Sequence, residues 1–228
     1  MSDVDHGAIY RGVRLRVTEL VLAQPDAALD TVAPATPAWR VRDIVAHLAG
    51  GTADIVAGNL DGVASDPWTQ AQVDARRDVP IAEVLDEWAR CSEQVEPMVA
   101  DFPGLLRAMF ITDAATHELD IRGALGDTGA RDSDAVAYAF RGIAGGIGAQ
   151  RTEAGAGALR IVHDAGEAVV GDGEPTASVT ATRFEVLRAA VGRRSAEQIA
   201  AWPWDGDARP ETVVLSRFAP PRATPLAE

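Results

Sequence analysis

Asp113 and His117 stand four residues apart in a stretch that reads as helix. In a helix that spacing stacks two side chains on one face, about one turn apart. A carboxylate and an imidazole placed this way can hold one cation between them. A third ligand has to come from another element, and His47 is the best candidate. Three protein ligands among packed helices leave a coordination position for water or substrate, which is the arrangement of a catalytic metal site rather than a closed structural one.

The D-x-x-x-H spacing also arises in helices that bind nothing, so the surroundings matter. Phe110, Ala114, Ile121 and Leu125 recur at helical spacing, and projection at about 100° per residue puts His117 inside that apolar stripe with Asp113 beside it. A carboxylate on a core-facing stripe is costly unless it is paired, and a cation would be such a partner. For His47, Thr36-Pro37 reads as an N-cap and first helical residue, and Val41, Ile44, Val45 and Leu48 give a core stripe ending at Gly50-Gly51. His47 lies at the edge of that stripe. Judged on this helix alone, a half-buried histidine at a bundle seam explains it as well as ligation does.

The elements that would have to position these residues are mostly helical. Ile9, Val13, Val17, Leu20 and Val21 mark a first helix ended by Pro25, and the Trp39 to Leu48 region is the second. A loop carrying Gly58, Gly62, Pro67 and Trp68 follows, and Pro80 opens a third helix running through Val99. The fourth, from about Leu105 to Leu125, holds Asp113 and His117 and stops at Gly126. A fifth begins near Ser133 with Val136, Phe140, Ile143 and Ile147 inward; Gly142, Gly145, Gly146 and Gly148 in it imply a close helix contact or a kink. Beyond Gly155 the pattern changes to short strands. Leu159 to His163 and Ala168 to Gly171 form a hairpin signal, and Ser178 to Thr182 alternates. A helix over Arg183 to Val191, a capping box at Ser195-x-x-Gln198 and a short run at Val213 to Leu215 complete a small α+β tail, with a loose Pro/Ala-rich end. The expected fold is mainly α, a four-helix bundle over residues 1–152 followed by a small α+β domain over residues 156–228.

Composition narrows the function. Thirty-four acidic residues against 21 basic ones leave a formal net charge of −13, which repels phosphate backbones and anionic lipid, so neither nucleic acid nor membrane is expected as a partner. Arg193-Arg194 is the conspicuous basic doublet of the tail; it reads either as a solvated helix end or as an anion contact. No run approaches the length of a membrane span, and Met1-Ser2-Asp3-Val4-Asp5-His6 lacks the basic and apolar regions of a signal peptide, so a cytoplasmic protein is expected. A single cysteine, Cys91, on the stripe Ile81, Val84, Leu85, Trp88, Cys91, Val95, excludes both an intrachain disulfide and a Cys-rich zinc site. Any thiol chemistry would use a thiol brought by a small molecule.

Three segments in order carry a resemblance. Trp39-x-Val41-Arg42-Asp43-x-Val45-Ala46-His47-Leu48-Ala49-Gly50, then Asp113-x-x-x-His117-Glu118-x-Asp120-Ile121-Arg122-x-Ala124-Leu125-Gly126, then Gly192-Arg193-Arg194-Ser195 with Trp204-Asp205-Gly206-Asp207, resemble the mycothiol-dependent maleylpyruvate isomerase family, of the DinB-like superfamily of metal-binding four-helix bundles. The resemblance spans nearly the full chain. It implies a divalent metal, zinc in the first place, held by His47, Asp113 and His117, with mycothiol as cosubstrate. Asp113 stands where the isomerase itself carries Glu, one methylene longer. Asp120, one turn beyond His117, could orient that histidine, act as a base, or form a salt link to Arg122. Glu118 is expected to be solvated, and His6 and His163 to be structural or surface residues. In the resemblance the C-terminal domain helps close the thiol and substrate site, which would give Arg193 or Arg194 a carboxylate to meet.

These readings lead to a metal-dependent enzyme that uses a low-molecular-weight thiol on a small electrophile, in the isomerase or S-transferase class. The alternatives are a metal-dependent hydrolase with Asp120 as base and a non-catalytic metal-binding or regulatory bundle.

Overall fold

The structure, a computed structural model, describes residues 4–215 and 218–228. Residues 1–3, the start of the segment inspected above for a signal peptide, lie outside the described residues. The chain divides into two compact units, Met1–Asp127 and Thr128–Glu228. Among the described residues no helix is long and apolar enough to cross a membrane.

The first unit is helical: α1 (His6–Leu22), α2 (Val41–Ala57), α3 (Asp66–Arg76), α4 (Ile81–Val95) and α5 (Gly104–Leu125). The four long helices α1, α2, α4 and α5 form a bundle in which α1 packs on α4 and α5, and α2 on α4 and α5; α3 lies against α2. Val13, Val17, Ile44, Val45, Trp88, Ile111 and Ile121 are buried between them. A polar knot ties three helices inside this apolar core. Trp88 Nε1 donates to Tyr10 Oη at 2.8 Å, and Tyr10 Oη meets Thr52 Oγ1 at 2.7 Å. Burial pushes the Tyr10 phenol up to about 12, against the opposing pull of those hydrogen bonds, so it stays neutral and keeps its proton for the knot.

Several boundaries differ from the expected ones, each for a local reason. Helix α2 begins at Val41 rather than Pro37, because the Asp43 carboxylate accepts from the Arg40 backbone N–H at 2.9 Å there and the Thr36-Pro37 segment turns back to pair Val32 with Arg40. Nor does it stop at Gly50-Gly51. A Cβ on Gly50 would lie 2.5 Å from Gln72 Cβ, so that glycine serves the close approach of α3, and the helix ends at Gly58 in the left-handed conformation (φ 71°). The expected loop around Pro67 and Trp68 is helix α3, started by the Ser65 cap and a proline in its first turn. The long third helix stops at Val95, and Glu96–Asp101, with Pro97 in its first turn, continues as a 3-10 turn. Gly126 ends α5 at φ 70° with open space around its missing Cβ. Gly126→Ala therefore introduces backbone strain without a clash, and urea denaturation should register a loss of about 1 kcal/mol.

The second unit holds α6 (Asp134–Glu153), β1 (Ala158–His163), β2 (Gly166–Val170), β3 (Pro175–Thr180), α7 (Arg183–Ala190), α8 (Ala196–Ala200) and β4 (Trp204–Gly206). The sheet order is β2-β1-β3-β4, with β1 antiparallel to β2 and parallel to β3. Helix α6, assigned above to the bundle, makes its contacts here with α7, β1 and β2. Of its glycines, Gly148 serves a close contact, since a Cβ there would meet the Gly171 backbone nitrogen at 2.6 Å, whereas Gly142 and Gly145 face open space. No strand forms at Val213 to Leu215. Pro210–Val213 is a 3-10 turn, and Val213 and Leu215 are buried, so the apolar run packs instead of pairing. The chain end is tied down rather than loose: Leu226 is buried, and the Glu228 carboxylate ion-pairs with Arg188 and Arg194, both buried. The result is mainly α, with a small α+β unit after the helical one, as expected.

Candidate metal centre

Helix α5 carries Asp113, His117 and Asp120 on one side, and α2 presents His47 to the same place. His47 Nε2 lies 3.2 Å from Asp113 Oδ2, and His117 Nε2 lies 3.5 Å from Asp113 Oδ1. One ligand atom from each of the three residues falls within 4.8 Å of the others. Donors around a tetrahedral zinc at bonds of about 2.0–2.1 Å stand roughly 3.4 Å apart, and each Nε2 lies near that distance from an Asp113 oxygen, His47 from Oδ2 and His117 from Oδ1.

The far side of each imidazole is fixed. His47 Nδ1 faces Gln72 Oε1 at 2.8 Å, and His117 Nδ1 faces Asp120 Oδ2 at 3.0 Å. Both partners are acceptors, so each Nδ1 is the nitrogen that donates outward, and each Nε2 faces the Asp113 carboxylate. With both Nδ1 atoms engaged outward, two Nε2 atoms and one carboxylate converge, a set that can hold a cation. The electrostatics agree. Burial pulls the His47 imidazolium down, yet the Asp113 charge and the hydrogen bonds to Asp113 and Gln72 outweigh it and raise its pKa. The folded site thus favours positive charge at this point. The chemistry of the donor set fits a divalent ion of the zinc type, with imidazole nitrogen and one carboxylate oxygen.

Burial is uneven across the three. His47 and His117 are 6% and 7% exposed, whereas the Asp113 side chain is 49% exposed. The expectation of a core-facing carboxylate is corrected on this point: Asp113 sits at the solvent edge of the stripe, so the centre opens on its side. Trp39, in the turn before α2, closes another side, with ring centroids 5.2 Å from His47 and 5.7 Å from His117.

Asp120 is fully buried and bonded to His117 Nδ1, the orienting arrangement among the roles considered for it. Glu118 is not solvated. It is 1% exposed and clamped by Arg16 at 2.6 Å and Arg122 at 3.1 Å, because α1 covers the face of α5 that a projection of α5 alone leaves in water. Arg194 is likewise no solvated helix end: it is 3% exposed, with Glu185 at 2.7 Å and Glu228 at 2.9 Å taking up its guanidinium. Arg193 is half-buried and donates to the Val191 carbonyl at 2.8 Å. His163 accepts from the Ala165 backbone and packs on Phe140. Cys91 is half-buried on α4, and burial pushes its thiol up, which keeps it protonated and unreactive.

Sequence reasoning missed Gln72 and Asp54. The Ser65-Asp66-Pro67 helix start was available to reveal α3, but no spacing rule pairs a glutamine on one helix with a histidine 25 residues earlier.

No protein-family model and no curated protein sequence matches the chain. Two solved structures do in fold. One is the mycothiol-dependent maleylpyruvate isomerase, with a TM-score of 0.57 over 89% of this chain and 93% of that one, at 12% identity. This chain has the isomerase's fold. The other, a mutant of the same isomerase with one histidine replaced by alanine, aligns over the same shares with a TM-score of 0.56 and 12% identity.

Proposed function

We propose that the chain is a cytoplasmic, metal-dependent enzyme that uses a low-molecular-weight thiol of the mycothiol type on a small electrophilic substrate, as an isomerase or S-transferase. One observation carries this reading: two imidazoles, each held at Nδ1 by a hydrogen bond, and one half-exposed carboxylate converge on a common point. The isomerase fold supports the reaction class. His47, Asp113 and His117 would hold the ion, zinc in the first place, and a bound ion supplies a lowered thiol pKa and so a thiolate at neutral pH.

The chain's own residues do the rest. His47 and His117 donate Nε2 lone pairs, Asp113 balances charge, and Asp120 keeps the His117 proton on Nδ1. The exposed side of Asp113 admits solutes, and the Trp39 ring offers an apolar wall on which a planar conjugated substrate can lie. Addition of a thiolate to a conjugated cis double bond leaves a single bond that rotates; expulsion of the same thiolate restores the double bond as trans and returns the thiolate for the next turnover. If solvent instead delivers a proton to the adduct carbanion, the product is a thioether conjugate. A hydrolase with Asp120 as general base is disfavoured, since that carboxylate is fully buried behind His117.

The test is turnover of cis-configured conjugated acids such as maleylpyruvate, with and without mycothiol and with and without a chelator. Turnover is expected only with thiol and metal together, to fall at least about 100-fold on chelation, since several kcal/mol of charge stabilisation is removed, and to return with zinc. Equal turnover without added thiol would sink the proposal.

A further inference from the structure

Helix α3 contributes none of the three candidate ligands, yet it reaches the centre from behind. Gln72 is 3% exposed and spans two groups: its Oε1 faces His47 Nδ1 at 2.8 Å, and its Nε2 donates to Asp54 Oδ2 at 2.7 Å. Asp54, a carboxylate, can only accept. It therefore settles which end of the Gln72 amide is NH2, and with it which end faces His47. The amide oxygen so presented requires a proton on Nδ1, which makes Nε2, 3.2 Å from Asp113 Oδ2, the nitrogen left to give a lone pair to an ion. The side of His117 is built differently, with an anionic carboxylate, Asp120, in the equivalent place.

The rest of α3 is arranged to keep Gln72 there. Gly50, one turn beyond His47 on α2, leaves the space that Gln72 Cβ and Cγ occupy; a Cβ on Gly50 would lie 2.5 and 2.8 Å from them. Arg76, one turn beyond Gln72, donates to the Gln72 carbonyl at 3.1 Å and makes a two-pronged ion pair with Glu87 of α4, both at 2.7 Å. The helix is thus pinned to α2 by close packing and to α4 by charge.

We propose that Gln72, its amide oriented by Asp54 and admitted by Gly50, is a positioning residue of the metal centre that sets the His47 tautomer and so the affinity for zinc. This rests on the reading of His47, Asp113 and His117 as a metal centre. Loss of such an outer partner costs about 10–100-fold in metal affinity, whereas a residue that only fills space leaves the imidazole tautomer unchanged.

Two readouts on the full chain test it: zinc affinity by competition with a chromophoric chelator, and imidazole 15N shifts of His47 in metal-free protein at a pH where the ring is neutral. Gln72→Ala should bind zinc about 10–100-fold more weakly and show a His47 proton shared between both nitrogens, where the unaltered protein holds it on Nδ1. The double exchange Gln72→Glu with Asp54→Asn keeps an acceptor toward His47 and a donor between the two side chains, so it should retain near-native zinc affinity and the Nδ1 proton. It also covers the case in which Gln72→Ala does not fold. Zinc affinity within twofold of the unaltered protein in Gln72→Ala, a His47 proton still held on Nδ1 in that variant, or loss of the Nδ1 proton in the folded double exchange would overturn the proposal. Failure of the unaltered chain to bind zinc would instead overturn the metal reading, and the metal-free 15N shifts would still decide whether Gln72 sets the tautomer.

Discussion

His117→Ala will bind zinc more than about 100-fold more weakly than the unaltered chain, beyond the 10–100-fold expected for an outer partner, and its thiol-dependent turnover will fall to background. Removal of the imidazole takes away one of two nitrogen donors and leaves Asp113 with a single histidine, 3.2 Å away on α2. It also strips Asp120 of the donor it meets at 3.0 Å, and a fully buried carboxylate that loses a hydrogen bond costs about 1–3 kcal/mol. Both losses are read by titrating zinc into the variant and melting it with and without metal. The unaltered chain should gain stability from zinc as RT ln(1 + [L]/Kd), and the variant should gain almost none at the same concentration. Zinc stoichiometry and affinity unchanged in His117→Ala would remove the basis for the proposed activity.

Glu118→Ala, one residue along, should behave in the opposite way. Its carboxylate is 1% exposed and holds Arg16 from α1 and Arg122 one turn further on α5. Breaking a buried pair by removing one partner costs about 3–5 kcal/mol because it leaves uncompensated charge behind. Arg16 is a third exposed and Arg122 keeps its ion pair with Asp127, so the lower end applies: about 3 kcal/mol, or on the order of 10 °C in Tm for a unit of this size. Zinc stoichiometry should stay at the native value, because the side chain points away from the Asp113 face of α5. A thermal melt paired with metal analysis separates the two variants. Near-native Tm in Glu118→Ala would mean that the clamp contributes little.

The two neighbours also show how far a one-dimensional reading carries. Helical projection puts His117 and Asp113 on one face, and the structure has them there, with His117 Nε2 3.5 Å from Asp113 Oδ1. The same projection sends Glu118 about 100° away and, with nothing else known, into water. What covers that face is α1, whose arrival is a matter of bundle packing and not of α5 periodicity. Arg194 repeats the lesson. A basic doublet at a helix end looks solvated until the chain's own last residue folds back to meet it. Helix existence was legible from apolar stripes and caps, as with Ser133 for α6 and Ser195-x-x-Gln198 for α8. Boundaries were less so, because glycine is ambiguous: Gly58 and Gly126 end helices in left-handed geometry, whereas Gly50 allows another helix to approach.

Residue types and short-range spacing alone therefore determined the mainly helical class, the pairing of Asp113 with His117, and the exclusion of an intrachain disulfide and of a Cys-rich metal site. Those are properties of one helix at a time, or of composition, and a single period or count expresses them. Tertiary structure decided the rest: that His47 reaches the same point across the bundle, that α3 delivers Gln72 and Asp54 behind it, and that Asp113 rather than either histidine faces solvent. Each depends on the distance and angle between helices far apart in the chain. Those are set by the summed packing of many side chains and by the few places, such as Gly50, where the absence of one lets two backbones meet.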